Sequence, residues 1–160
     1  MPLQTCSYNG DRLRAEKERS IMHVTVQAYE QAMAHCSASL PNEGCGVFLG
    51  AHHAITAFQP LRNCSPHPRT RFALDPAEWI PLIYAPDQPV IGLVHSHPFS
   101  AAVPSEADHQ LYWPDLPSYW IASFRDRRSP ELACYRIRKS FAHGGEAAID
   151  FLPMAYTIVT

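Results

Sequence analysis

The tripeptide His95-Ser96-His97 places two imidazoles where they could bind one metal ion. Side chains alternate between the two faces of a strand, so residues two apart point to the same side, about 6 to 7 Å apart along the chain. The apolar run Val90–Val94 comes directly before His95 and is typical of a buried strand. Two histidines at the end of such a strand can converge on one metal ion, although an isolated H-x-H pattern more often has no such role.

A carboxylate could complete this ligand set. Asp108 stands eleven residues after His97, at the end of the segment Ser105-Glu106-Ala107-Asp108. Two histidines and one carboxylate leave the fourth position of a tetrahedral zinc ion for water, which distinguishes catalytic from structural zinc sites. The same segment has the pattern of a capping box, with Ser105 as N-cap and Asp108 at the third helical position. Taken alone, the segment is better explained by capping.

Short elements must hold these residues, because fifteen prolines among 160 residues favour many turns over long helices. Strands and helices alternate without repeats or linkers, which predicts one α+β domain over residues 21–160. The polar residues 1–20 are expected to form a flexible N-terminal extension. Strands are expected at 23–27, 46–50, 54–58, 71–74, 90–94, 118–124 and 132–137, with one edge strand within 146–159; helices are expected at 28–39, from Asp75-Pro76 onward, and at 105–112.

Composition excludes several classes of protein. A net charge of −2 gives no electrostatic basis for binding nucleic acid. No apolar run approaches the roughly 20 residues of a membrane span, and the first twenty residues lack the apolar region of a signal peptide. Five scattered cysteines without a C-x-x-C pair favour reduced thiols over disulfides or a four-thiolate zinc site. We therefore expect a cytoplasmic protein without nucleic-acid or membrane partners.

Taken together, the segments resemble the JAMM (MPN+, Mov34-type) metalloproteases. His95-Ser96-His97-Pro98 and Ser105-Glu106-Ala107-Asp108 match the family's H-[ST]-H-P and S-x-x-D elements, with ten residues between the second histidine and the aspartate. The segment Pro41–Gly50 looks like the family's P-x-E-x-C-G-x-x-x-G pattern. Asn63 and the stretch Arg71–Glu78 are typical of compact stand-alone prokaryotic members of the JAB-domain type.

This resemblance, which covers roughly residues 22 to 138, implies a fold and a set of roles. The implied JAMM/MPN fold is a mixed, curved sheet flanked by helices, with a cytidine-deaminase-like core. His95, His97 and Asp108 would bind one zinc ion per chain. Glu43 would act as general base and proton shuttle, and Ser105 would stabilise the oxyanion of the tetrahedral intermediate.

Two nearby residues are not expected to take part. Cys45 directly precedes an apolar strand and is expected to pack in the core, since nothing marks a thiol of low pKa as a nucleophile. His109 follows Asp108 but would point about 100° away from it on a helix, so we expect that it is not a ligand.

The substrate class also follows from the resemblance. It implies a zinc-dependent peptidase or isopeptidase that cuts after the C-terminal Gly-Gly of a ubiquitin-like or sulfur-carrier protein, which would be its partner. Two alternatives stay open: a zinc peptidase with another substrate, such as a cell-wall or phage-tail peptide, and a non-catalytic MPN scaffold. A homodimer also stays open.

Overall fold

The elements of the fold follow one another in mixed order, as expected for an α+β protein. A computed structural model describes residues 21–85, 87–109, 115–141 and 147–160. In chain order these residues form β1 (Met22–Thr25), α1 (Val26–Ser39), β2 (Cys45–Ala51), β3 (Ala54–Leu61), α2 (Pro76–Ile83), β4 (Val90–His97), a 3₁₀ turn (Glu106–Asp108), β5 (Ser118–Ser123), β6 (Glu131–Phe141), β7 (Ala147–Met154) and β8 (Tyr156–Val159).

The described strands form one mixed sheet in the order β7-β6-β5-β4-β2-β3-β1-β8. Strand β4 runs parallel to β5, and β1 runs parallel to β3 and β8, whereas the other neighbours are antiparallel. Strands β7 and β8 lie at opposite ends of this order, although only Ala155 separates them in the chain. The sheet therefore curls enough to bring the end of β7 and the start of β8 together, which confirms the expected curved mixed sheet.

Both helices begin at side-chain caps. The Thr25 hydroxyl accepts a hydrogen bond from the Ala28 N–H at 3.3 Å, so α1 begins at Val26, two residues earlier than expected. Asp75 caps α2 by accepting from the Ala77 N–H at 3.0 Å, as the Asp-Pro pair predicts. Helix α1 then buries one face against the sheet: Ala28, Ala32 and Cys36.

The two faces of the sheet contact different apolar clusters. On β5, Trp120 and Ala122 belong to the cluster covered by α1, whereas Tyr119 and Ile121 belong to the cluster on the opposite face. This second cluster contains Phe72 and is contacted by partly buried residues of α2. The face away from α1 is where the β4 histidines lie, since His95 contacts both Phe72 and Tyr119 there.

The prediction of a strand at residues 71–74 was wrong. Only Leu74 pairs, through an isolated bridge to Asn63. The Asn63 side chain donates to the Arg71 carbonyl at 3.0 Å and accepts from the Ala73 N–H at 3.1 Å. These bonds satisfy backbone groups that a strand would have paired with a neighbour.

The helix expected at 105–112 was also wrong where the structure describes it. Residues Glu106–Asp108 form a single 3₁₀ turn that ends at His109, and residues 110–112 lie outside the described part of the chain. The turn is closed by the Asp108 N–H donating to the Ser105 carbonyl at 3.0 Å. One turn is sufficient to direct Asp108 towards β4.

The C-terminal segment contains two strands instead of the expected one, because Ala155 interrupts the pairing. Beyond that break, Tyr156–Val159 pairs in parallel with β1 at the other edge of the sheet. The predicted flexible extension, residues 1–20, lies outside the described residues. Within the described residues, no helix is long and apolar enough to cross a membrane.

Candidate metal centre

Strand β4 carries His95 and His97 at its end, in the middle of the sheet. His95 pairs with Cys45 of β2 on one side and with Ile121 of β5 on the other. The two imidazoles point to the same face, and their Nε2 atoms are 3.0 Å apart. The alternation of side chains along β4 thus brings both nitrogens together, as the sequence predicts.

The 3₁₀ turn adds Asp108 to this pair. Its Oδ1 lies 2.9 Å from the His95 Nε2, and its Oδ2 lies 3.5 Å from the His97 Nε2. All three side chains are buried, and their ligand atoms lie within 4.8 Å of one another. His95, His97 and Asp108 therefore form a candidate metal-binding group.

The Asp108 carboxylate is oriented by further hydrogen bonds. The Ser105 backbone N–H and hydroxyl both donate to Oδ2, the hydroxyl at 2.8 Å. The Tyr119 hydroxyl donates to Oδ1, also at 2.8 Å. Ser105 and Asp108 form a capping box as well. Helix capping and carboxylate orientation are thus two roles of one local structure.

Metal binding needs neutral imidazoles, and the two histidines differ in this respect. Burial tends to lower the pKa of His97, but its hydrogen bonds with Asp108 and the Ala101 carbonyl raise it overall in the metal-free protein. The His97 Nδ1 lies 2.9 Å from the Ala101 carbonyl, so Nδ1 carries a proton and Nε2 faces the ligand group. Burial lowers the pKa of His95, which favours its neutral form. Burial alone would raise the pKa of Asp108, but hydrogen bonds from His95 and His97 hold it below its usual range. Two imidazole nitrogens and a carboxylate are a donor set that fits zinc.

Aromatic rings fix the orientation of His95. Phe72 stacks on its imidazole with ring centres 4.5 Å apart and planes 20° apart. The Tyr119 ring lies 5.2 Å away on a tilt. Sequence reasoning assigned no function to either ring. Phe72 stood only within the stretch Arg71–Glu78 that is typical of compact prokaryotic members, and nothing distinguished Tyr119 from an ordinary strand residue.

Glu43 lies in the loop between α1 and β2, and only 6% of its surface is exposed. Its N–H donates to the Pro68 carbonyl at 2.7 Å, and its carbonyl accepts from the Asn63 Nδ2 at 3.0 Å. Burial raises the pKa of Glu43 to about 7, with an opposing contribution from His97. A carboxyl group with this pKa can accept and return a proton near neutral pH.

Cys45 packs in the core as expected, and His109 lies outside the candidate metal-binding group. Cys45 is buried, its thiol donates to the Leu61 carbonyl at 3.6 Å, and burial raises its pKa to about 12. Such a thiol is not a nucleophile at neutral pH. His109 is exposed and contacts the Ser105 carbonyl through Nδ1 at 2.8 Å.

A cavity of about 250 Å³ opens beside Glu43. Its lining combines polar and apolar residues and includes no residue of the candidate metal-binding group. The cavity gives a small group access to one side of Glu43. It is lined by His35, Ser39, Asn42, Glu43, Gly44, Cys45, Leu61, Arg62 and Asn63.

The amino-acid sequence matches a known protein family over the residues that form this site. The family described as prokaryotic homologs of the JAB domain matches residues 25–137. The chain belongs to this family. The matched range includes Glu43, the three residues of the candidate metal-binding group and Ser105. The resemblance to JAMM proteins is thereby confirmed.

Curated relatives of this JAB domain include named peptidases. The desampylase of Haloferax volcanii is 38% identical over 105 residues, which cover 59% of this chain and 76% of the relative. The CysO-cysteine peptidase of Mycobacterium bovis is 32% identical over 123 residues, covering 73% and 83%. The tail tip assembly protein K of an Escherichia phage is 34% identical over 97 residues, covering 52% and 37%.

Solved structures share the JAB domain's architecture. The solution structure of protein DSY2949 from Desulfitobacterium hafniense has a TM-score of 0.66 and 26% sequence identity. The alignment covers 87% of this chain and 94% of that protein. The curled sheet described above is therefore similar to an experimentally determined fold over nearly its whole length.

Proposed function

We propose that this JAB domain is a zinc-dependent peptidase or isopeptidase that hydrolyses the bond after the C-terminal Gly-Gly of a ubiquitin-like or sulfur-carrier protein. The observation that carries the proposal is the convergence of His95, His97 and Asp108 on one face of the sheet. Relatives named a desampylase and a CysO-cysteine peptidase support this substrate class.

The metal ligands in this proposal are His95, His97 and Asp108. When bound, zinc supplies a water of lowered pKa and polarises the scissile carbonyl. The chain's own residues must hold the ligand set and move protons. Tyr119 and Ser105 contribute to the first task by orienting the Asp108 carboxylate from both of its oxygens.

Glu43 is the proposed proton carrier. Its carboxylate takes a proton from the attacking water and returns it to the leaving nitrogen. Burial raises the pKa of Glu43 to about 7 in the metal-free protein, and a raised pKa favours acceptance of a proton from water.

Ser105 is the proposed oxyanion donor. In this structure its hydroxyl donates to Asp108, so it must turn away from that carboxylate to reach an oxyanion. Ser105 is exposed, which leaves room for its hydroxyl to rotate. Asp108 would keep the Ser105 N–H and the Tyr119 hydroxyl as partners. The ligand set can therefore persist while the hydroxyl changes partner.

Intact-protein mass spectrometry tests the proposal. Zinc-loaded protein is incubated with sulfur-carrier proteins that carry one extra residue after Gly-Gly, and with Gly-Gly–lysine conjugates. We expect loss of the mass beyond Gly-Gly, and no loss with Glu43→Gln or after chelation. Glu30→Gln, at an exposed position on α1, serves as the matched control with full activity. Absence of cleavage by protein with one equivalent of zinc would contradict the proposal.

A second candidate function is cleavage of a phage-tail or cell-wall peptide. The similarity to a tail tip assembly protein favours it. Peptidoglycan fragments and phage-tail peptides are therefore added to the same assay. Cleavage of these substrates, with every carrier left intact, would select this second function. A zinc-loaded protein that cleaves nothing would instead indicate a scaffold.

A further inference from the structure

Ser96 lies between the two histidines of β4 and points to the other face of the strand. Neighbouring side chains on a strand alternate between its two faces. Ser96 therefore faces α1, whereas His95 and His97 lie on the opposite face with Asp108. It is fully buried, with 0% of its surface exposed. A buried hydroxyl needs hydrogen-bond partners, and those partners show what Ser96 holds.

Its partners are the residue after Glu43 and a residue of α1. The Gly44 N–H donates to the Ser96 hydroxyl at 2.8 Å, and the Ser96 N–H donates to the Gly44 carbonyl at 2.9 Å. The Ser96 side chain also forms a hydrogen bond with Cys36. Ser96 thus connects β4, between its two histidines, with the loop that carries Glu43 and with α1.

Gly44 fits this position only because it lacks a side chain. A Cβ atom at Gly44 would lie 2.8 Å from the Ser39 Oγ and 2.9 Å from the Cys36 Cα, both on α1. The loop therefore lies directly against the helix on one side and bonds to Ser96 on the other. A loop so confined has little freedom to shift relative to β4.

Other contacts hold the Glu43 backbone but do not reach the ligand strand. Its N–H binds the Pro68 carbonyl, and its carbonyl binds the Asn63 side chain. Both partners lie between β3 and α2. The link through Ser96 ties the residue after Glu43 directly to the strand that carries His95 and His97, next to the backbone pairing of Cys45 with His95. Within this link, only the bond from the Gly44 N–H depends on the Ser96 side chain.

We propose that Ser96 is a positioning residue for Glu43, whose hydroxyl fixes the Glu43 carboxylate relative to the ligands on β4. This inference rests on the proposed function, in which Glu43 carries the proton. A displacement of about 1 Å in a reacting group can cost about 100-fold in rate. Loss of the Ser96 hydroxyl therefore lowers kcat by about 10- to 100-fold, with KM and zinc content nearly unchanged.

A matched pair of variants separates the hydroxyl from packing. Ser96→Thr keeps the hydroxyl, and Ser96→Val has nearly the same shape without it. We expect Ser96→Thr to retain a kcat several-fold above that of Ser96→Val, with Ser96→Ala as low as Ser96→Val. Ser118→Ala removes another buried hydroxyl, one bonded to the Ile91 carbonyl at 2.6 Å, and should leave kcat unchanged. Equal kcat for Ser96→Thr and Ser96→Val would overturn the inference.

A double variant tests whether Ser96 acts through Glu43. If it does, Ser96→Ala has no further effect on the residual activity of Glu43→Gln. The same fold-loss in both backgrounds would show that Ser96 serves the metal ligands or general folding, and would overturn the inference. Zinc analysis of each variant accompanies the kinetics.

Hydrogen exchange distinguishes failure of this inference from failure of the proposed function. If the zinc-loaded wild type cleaves none of the substrates, the proposed function fails. The hydrogen bond between the Gly44 N–H and the Ser96 hydroxyl is then tested by hydrogen exchange of the Gly44 amide, which needs no substrate. We expect the Gly44 amide to exchange faster in Ser96→Val than in Ser96→Thr. Equal exchange would show that the Ser96 hydroxyl does not hold Gly44, and would overturn the inference.

Discussion

The hydroxyl of Ser105 lies 2.8 Å from the Oδ2 of Asp108, so the proposed oxyanion donor also orients a proposed metal ligand. Capping and catalysis therefore depend on the same few atoms. The carboxylate has other donors, since the Ser105 N–H and the Tyr119 hydroxyl also reach it. Because several groups donate to this carboxylate, we expect substitutions at Ser105 and at Tyr119 to have different effects.

Ser105→Gly should stay folded and zinc-loaded but lose activity. Glycine is a tolerable N-cap, and Asp108 keeps its bonds to the backbone N–H of residue 105 and to Tyr119. Loss of one oxyanion donor should lower kcat by about 10²–10³-fold. Steady-state kinetics with zinc analysis check this result. Turnover like that of wild type would leave Ser105 with a structural role alone.

Tyr119→Phe should weaken metal binding. The ring remains to pack against His95, but the hydroxyl bond to the Asp108 Oδ1 is lost. Removal of such an orienting partner typically costs about 10- to 100-fold in metal affinity. Competition with a chelator measures the change. Tyr156→Phe, whose hydroxyl binds the Leu132 carbonyl at 3.0 Å, is the control, and an equal loss there would contradict the prediction.

The purified protein should contain about one equivalent of zinc, and His97→Ala should lose it. The imidazole Nε2 atoms supply two of the three proposed ligands, so one carboxylate and one imidazole remain in that variant. Elemental analysis measures zinc per chain. Full zinc occupancy in the His95→Ala/His97→Ala double variant would exclude this group as the site.

Glu43→Gln should stabilise the metal-free protein at pH 8 but not at pH 4. The folded-state pKa is raised from 4.5 to about 7, so the folded protein binds the Glu43 proton more tightly than the unfolded chain. The resulting penalty is absent below about pH 4.5, grows between the two pKa values, and is complete above about pH 7. It amounts to at most about 3 kcal/mol.

Urea unfolding of chelator-treated protein at several pH values measures this effect. Glu30→Gln is the control, since its side chain is exposed. A difference between Glu43→Gln and wild type that stays the same from pH 4 to pH 8 would contradict the assigned cause. A stabilising substitution at Glu43 would also show that the buried carboxyl costs stability.

The sequence by itself predicted the ligand types of the candidate site and the type of fold. The pairing of His95 with His97 on one face is a local consequence of strand geometry, and the capping box that holds Asp108 lies within four residues. Both features are predictable because they depend on near neighbours in the chain. Glu43 was added only by the resemblance to the JAMM family, since its local sequence is that of an ordinary carboxylate.

The tertiary structure alone decided which distant residues complete the site. Ser96 contacts Gly44 across 52 positions of the chain. The Phe72 ring contacts His95 from a loop whose backbone is held by hydrogen bonds to the Asn63 side chain. Tyr119 reaches Asp108 because β5 lies parallel to β4 in one particular register. Side-chain periodicity predicts that a strand exists, but it does not specify which strand lies beside it, in which register, or how far the sheet curls.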